Sequence, residues 1–482
     1  MIFFLKKKLY LCAMFMFHNR LDTICAVCTP SGEGAIAVIR ISGGCAFAVC
    51  ERVLAFKNSW DRRRGLARIM RGSEVIDEVL ALGFQAPRSY TGEDVVEIFC
   101  HGSQFIQQEI LKLLLENGCR LATGGEFTQR AFFNGKLDLS QAEAVGDLIA
   151  AKSAASHRVA MLQMRGGISC ELSALSEKLL EFVSLVELEL DFSEEDVEFA
   201  DRAQLQNLAQ QIAAVIRRLA DSFGAGNAIK NGIHVAIAGK TNVGKSTLLN
   251  RLLRDEKAIV SDTHGTTRDA IEDTVTIDGL LFRFTDTAGI RATSDAIEKL
   301  GIERSFQKIE KAAITLWVID LTEEIYDFRT EFENQKSKIE KSKIENQKSK
   351  IILTLNKSDL LSDEERKQKT AYYSGLHDDC IVISAHSDAD ISLLERKLVE
   401  KANIPHIGAN DVIVTNLRHY EALTHALSAI ERVIEGLEAG LTSDFLSQDI
   451  RECLSHLNEI TGKQISAEDV LGNIFRNFCI GK

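Results

Sequence analysis

The stretch GKTNVGKST at 239–247 has the form G-x-x-x-x-G-K-[ST]. An apolar run, IHVAIAG, precedes it and a helical LLNRLL follows. A loop in that setting wraps phosphates with backbone N–H groups at a helix N-terminus. Asn242, Val243, Gly244, Lys245, Ser246 and Thr247 form the wrap; Lys245 reaches the β- and γ-phosphates and Ser246 ligates Mg²⁺. Further pieces follow in order. GTTRD at 265–269 offers Thr267 to complete the Mg²⁺ shell. DTAG (Asp286, Thr287, Ala288, Gly289) ends the next strand, and Asp286 holds Mg²⁺ through water. NKSD at 356–359 ends a fourth strand. Its Asp359 can accept hydrogen bonds from guanine N1 and N2, an arrangement adenine does not offer. Asn356 and Lys357 brace that loop and cover the base, and Ser384 and Ala385 suit a backbone contact to the guanine oxygen. Each motif alone is weak. The ordered set points to GTP and its hydrolysis.

The residue after DTAG is Ile290, which can neither move a proton nor orient water, the task of a Gln there in Ras-like GTPases. Nearby candidates are Arg291, Asp295 and Glu298, and from composition alone Glu298 reads first as a solvated helix carboxylate.

These motifs need strands that end where the loops begin. From 233 to about 403, five apolar runs alternate with helical segments: IHVAIAG, LLFRFTDTAG, AITLWVID, KIILTLNKSD and DCIVISA. That is a doubly wound α/β domain. Upstream, residues 22–120 mix short strands with Gly-rich turns, and QFIQQEILKLLLEN carries a helical apolar stripe at about 103–117. From about Ser140 the chain turns helical, over 140–165 and 168–223, with Gly224, Gly226 and Gly232 marking the exit. After 410 it is helical again. The α/β domain is thus inserted between two helical stretches that pack together.

With 482 residues, 45% apolar and 26% charged, the chain reads as a soluble globular protein of two or three domains. No apolar run suggests a membrane-spanning helix, and a cytoplasmic place is expected. A net charge of −12 argues against holding nucleic acid by bulk positive charge alone. Eleven scattered cysteines suit reduced thiols. Cys25 and Cys28 form a CxxC, but on a strand they face opposite sides and are poorly placed to share a metal. Residues 1–21 mimic a signal peptide without a small-residue cleavage site and are read as a non-essential extension, with Met14 and Met16 as alternative starts. The near-repeat NQKSKIEKSKIENQKSK at 334–350 reads as a solvated insertion; a basic RNA contact through Lys338, Lys341 and Lys343 is the alternative.

Together with the nucleotide motifs, DTICAVCTPSGEGAIAVIRISG, SYTGEDVVEIFCHG, GEFTQRAFFNGKLDLSQAEAVGDLI and the terminal FCIGK closely resemble the MnmE (TrmE) family of tRNA-modification GTPases, over about 22–482. The resemblance implies a multidomain α/β and α architecture. It comprises an α+β folate-binding-like dimerisation domain (22–139), a helical bundle domain in two parts (140–231 and 404–482) and a Ras-like doubly wound G domain (232–403) inserted in the latter. It implies a homodimer that works with the flavoprotein MnmG, as a heterotetramer, on the wobble uridine of certain tRNAs. The product is an aminomethyl or carboxymethylaminomethyl group at carbon 5. The one-carbon unit comes from 5-formyltetrahydrofolate or a related folate, while FAD and NADH belong to the partner. Folate would be held by Arg40, Glu97, Lys136 and Lys482; from the bare sequence, Arg40 and Glu97 read as surface or strand-edge charges. Cys479 of the terminal CIGK is the functional cysteine candidate, able to meet the folate site if the chain end docks on the N-terminal domain; packing as a small buried thiol is the alternative. A prenylation box there fits poorly, because Lys is last.

The resemblance also implies G domains that dimerise across the nucleotide when K⁺ is bound. Asn242 supplies a side-chain ligand to K⁺, and the loop Ser261, Asp262, Thr263, His264, Gly265, Thr266 supplies carbonyls, mainly from Ser261, Thr263 and Thr266. Glu298 becomes the water-orienting carboxylate. Two positions depart from the family pattern: Thr241 stands where proline is usual, and His264 where small or apolar residues are. The rival function is a ribosome-assembly or signalling GTPase without a covalent product.

Overall fold

The computed structural model describes residues 22–56, 64–191, 202–253, 273–286, 312–325, 350–405, 408, 411–463 and 481. Two compact units emerge, one of residues 1–146, 163–210 and 428–482, the other of 147–162 and 211–427.

In the first unit, seven strands form one sheet in the order β3-β4-β5-β6-β2-β1-β7. They are β1 (Thr23–Val27), β2 (Gly34–Ser42), β3 (Leu54–Phe56), β4 (Arg64–Arg71), β5 (Glu74–Phe84), β6 (Val95–Gly102) and β7 (Cys119–Leu121). All neighbours are antiparallel except β1 and β7. Alternation sets the two faces. Cys25, Ile39, Ile41, Ile69 and Ile98 pack with helices α1 (Ala46–Val53) and α2 (Gln104–Glu116), while Ile24 and Ala26 pack with Phe127 of α3 (Glu126–Phe133). β4 and β5 form a hairpin, of which only the EVLALGF arm is legible as a strand in the sequence.

Helices α4 (Leu139–Ala150), α5 (Ala154–Met164), α6 (Gly167–Asp191), α7 (Arg202–Asp221) and α8 (Phe223–Asn231) follow. Within the first unit α6 packs on α13 (Ser443–Thr461), so the two helical stretches do meet. They also meet within the second unit. There Phe223 stacks on Tyr420 of α12 (Leu417–Glu438) at 4.6 Å, and the Val414 amide donates to Ser222 Oγ at 3.0 Å. Gly224 and Gly226 do not mark an exit from helix. Both lie inside α8, where Gly226 packs against the Val414 carbonyl.

The second unit is built on a sheet of order β13-β12-β11-β8-β10-β9. Its strands are β8 (Ile233–Ala238), β9 (Asp273–Ile277), β10 (Leu280–Asp286), β11 (Ile314–Asp320), β12 (Lys350–Asn356) and β13 (Cys380–Val382). The five strands expected from sequence are there and run parallel. A sixth, β9, pairs antiparallel with β10 and makes the sheet mixed. β8, β11 and β12 are almost wholly buried, as central parallel strands must be when helices cover both faces. Helices α9 (Lys245–Leu253) and α11 (Asp388–Ala402) bury Leu248, Leu252, Leu394 and Leu398 on one face. Tyr373 of α10 (Asp363–Ser374) packs on the other.

Candidate functional site

β8 ends at Ala238 and α9 begins at Lys245, so the P-loop spans the carboxyl end of a central strand, where open α/β sheets bind ligands. Asn242 takes a left-handed conformation with φ 63° without a proline before it. Lys245 is buried, and its ammonium donates to the carbonyl oxygens of Gly239, at 2.6 Å, and Lys240. Ser246 and Thr247 are exposed at the start of the helix. At Gly244, with φ +97°, a Cβ would lie 2.3 Å from Asn356 Nδ2. The loop therefore presses its backbone against the neighbouring loop, a cradle any side chain at this position would fill.

Asn356 is the hub of that contact. Its Nδ2 donates to the Val243 carbonyl at 2.8 Å and its Oδ1 accepts the Ala385 amide at 3.1 Å. One side chain, 2% exposed, thus joins the loops after β8, β12 and β13. Lys357 is left-handed, with φ 63°, and Asp359 lies exposed in a short 3₁₀ turn, Ser358–Leu360. The Ser358 amide donates to the Ile383 carbonyl at 3.2 Å. The Ser384 amide donates to Asp390 Oδ2 at 2.8 Å, and both Ser384 and Ala385 are buried. Asp286 closes β10 opposite Ile237, beside the entry to the P-loop. The set fits a guanine nucleotide: backbone amides and Lys245 at the phosphate end, a free carboxylate at the base end. Sequence reading missed one residue here. Asp320, the last of β11, receives the Lys357 ammonium at 2.5 Å. Only its place at a strand end, in VID, could have flagged it.

Ser261, Asp262, Thr263, His264, Gly265, Thr266, Thr267, Thr287, Ala288, Gly289, Arg291, Asp295 and Glu298 lie outside the described residues, as do Cys479, Lys482 and 334–349 of the Lys-rich insert.

The N-terminal residues converge on a second place. Arg40 and Glu97 are not edge charges: they face each other across the interior strands β2 and β6. Arg40 Nε and Nη2 each lie 2.9 Å from Glu97 Oε1. The guanidinium also sits 5.1 Å from the centre of the Tyr90 ring and 5.5 Å from that of Phe127. Tyr90 bonds Thr128 Oγ1 at 2.8 Å; burial pushes its hydroxyl pKa up. The half-buried charge pair is thus held against two rings, of which Phe127 belongs to the core. Lys136 is exposed and donates to the Pro87 carbonyl at 3.1 Å.

Close by, Cys28 Sγ donates to the carbonyl of Gly481 at 2.9 Å, so this part of the chain end docks on the N-terminal sheet. Gly481 is buried with φ +99°, and a Cβ there would lie 2.1 Å from the Val27 carbonyl oxygen. Cys25 is buried on the opposite side in the helix-covered core. Among the described residues, no three or more His, Cys, Asp or Glu are placed to hold a metal, and no helix is long and apolar enough to cross a membrane.

A P-loop between strand and helix, knit to an NKSD loop at the carboxyl ends of parallel strands, defines a GTP-binding protein of the P-loop class. The family model described as "MnmE helical domain" matches residues 139–479, and that described as "GTP-binding protein TrmE N-terminus" matches 23–136. The tRNA modification GTPase MnmE of Bacteroides fragilis strain YCH46 is 54% identical over 471 residues, covering 96% of this chain and 99% of that one. That of Parabacteroides distasonis is 53% identical over 472 residues, covering 96% and 100%. The chain belongs to the MnmE (TrmE) family of tRNA modification GTPases.

Proposed function

We propose that this GTPase drives modification of the wobble uridine of certain tRNAs by a K⁺-dependent cycle of G-domain dimerisation. With the flavoprotein MnmG, which brings FAD and NADH, it installs an aminomethyl or carboxymethylaminomethyl group at carbon 5. A folate supplies the one-carbon unit. Residues 22–139 bind folate and dimerise, 140–231 and 404–482 form the helical frame, and 232–403 form the G domain.

The observation that carries the nucleotide half is Asn356, whose side chain ties the phosphate loop to the base-reading loops. Lys245 stabilises the phosphates, and Ser246, Thr267 and Asp286 hold Mg²⁺. Asn242, Ser261, Thr263 and Thr266 hold K⁺, which neutralises charge building on the phosphates. Glu298 orients the attacking water. The folate half is supported by Arg40, Glu97 and the two rings, with Lys136, Cys479 and Lys482 as further members. Dimerisation is supported by an apolar row on the same sheet face, where Leu66, Leu80, Phe99 and Val38 stand opposite one another from β4 to β2. Leu66 is 62% exposed.

The test is nucleoside mass spectrometry of tRNA from a bacterium lacking its own such GTPase and complemented with this chain. Return of the modified uridine is expected. Failure with normal K⁺-stimulated hydrolysis would point to a mismatch with the host's flavoprotein or to a switch without a covalent product.

A further inference from the structure

Lys357 has two parts that do different work. Its ammonium is committed to the protein: Nζ lies 2.5 Å from Asp320 Oδ2. The other Asp320 oxygen accepts the Thr322 amide at 2.9 Å and the Thr322 hydroxyl at 2.7 Å. The carboxylate is buried and held on both sides, so it cannot swing to follow the lysine. Burial works against its charge, but the bonds from Lys357 and Thr322 outweigh burial and hold its pKa below the usual carboxylate value. The backbone repeats the coupling. Asp320 stands opposite Asn356 in the β11–β12 ladder, and the Leu321 amide donates to the Asn356 carbonyl at 3.1 Å. A lysine in the left-handed region is strained unless its surroundings over-determine it. Here the surroundings are Asn356 on one side and Asp320 on the other.

We propose that Asp320 is a positioning residue of the guanine subsite, acting through Lys357. By holding the ammonium it lays the apolar stem of Lys357 beside the base and fixes the turn that presents Asp359 two residues on. This rests on the reading of NKSD as the base-contacting loop.

The test uses the full chain with Mg²⁺ and a fluorescent N-methylanthraniloyl-GDP, whose release is followed by stopped flow. Asp320→Asn keeps the shape and removes the charge. Release should speed up about tenfold, the scale of one charge-assisted hydrogen bond. In a Lys357→Met background the same substitution should change release by less than about twofold, because the partner is already gone. Equal effects in both backgrounds, or no effect in the wild-type one, would overturn the proposal. The thermal midpoint of the nucleotide-free protein separates a folding defect from a site defect: it should move little in Asp320→Asn, and a large fall would assign Asp320 to the core instead. Asp359→Asn is measured alongside. If it moves preference from GTP to xanthosine triphosphate while Asp320→Asn releases nucleotide at the wild-type rate, only the role of Asp320 fails. If it leaves GTP selectivity intact, the base-reading loop itself fails.

Discussion

Asn356 makes two hydrogen bonds of opposite sense, donating from one end of its amide and accepting at the other. Asn356→Asp keeps the acceptor for Ala385 and turns the donor into an acceptor aimed at the Val243 carbonyl. The expected cost is about 1–3 kcal/mol, with a lower denaturation midpoint and weaker GTP binding, checked by urea unfolding and nucleotide titration. Gly244→Ala should weaken GTP binding at least about tenfold, since the new methyl meets the Asn356 amide in a strained backbone. For the hydrolytic step, Glu298→Ala should slow turnover while leaving GTP affinity nearly intact. A variant with normal turnover would move the role to Asp295 or Arg291. Among the described residues, the P-loop and NKSD positions were legible, because each motif requires particular side chains at fixed spacing. Asp320 was not: a single Asp ending an apolar run carries no signal until the fold sets Lys357 beside it.

Elements were legible where their periodicity is strong. The buried strands β8, β11 and β12 and helix α2 stand out as apolar runs or stripes. The hairpin of β9 and β10 did not, though its turn, Asp278-Gly279 with both φ positive, is the tight two-residue connection that signals one. DTVTI is short and half polar, so it looks like loop until its partner strand is known. A second element-scale feature joins three charges of one stretch, Arg120, Glu126 and Arg130, to Asp22 and Glu93 from far along the chain. Arg130 of α3, 7% exposed, meets Asp22, Glu93 and Glu126, and Arg120 of β7 meets Asp22 and Glu126. Burial opposes the charges of Asp22 and Glu126, but bonds and charge from the two arginines outweigh it and hold both carboxyls below their ordinary values of 3.8 and 4.5. Their contribution is therefore complete above about pH 4.5 and lost as pH falls through the lower folded values. Thermal unfolding of the N-terminal domain should show that acid-labile share. Arg130→Met should shrink that share without abolishing it, since Arg120 still bonds Asp22 and Glu126, and should lower stability at pH 7 by about 3 kcal/mol, because the buried network loses one of its two cations.

For the whole molecule, a net charge of −12 leaves little bulk attraction for nucleic acid. Purified alone, the chain should bind tRNA weakly; tight binding with a steep salt slope would show that it carries the tRNA itself. Gly481→Ala should separate two activities. The methyl would collide with Val27, so tRNA modification should fall by an order of magnitude or more while GTP hydrolysis by the G domain stays near wild type. Loss of both would place Gly481 in the general fold. The contact between Cys28 and Gly481 spans 453 residues. On the ribosome the N-terminal sheet can pair its strands early, as domains emerge in order. This one contact must wait until the G domain and both helical stretches have been made. The N-terminal sheet thus gains this neighbour only after the GTPase is in place, and a chain stopped short of residue 481 holds the nucleotide loops without that contact.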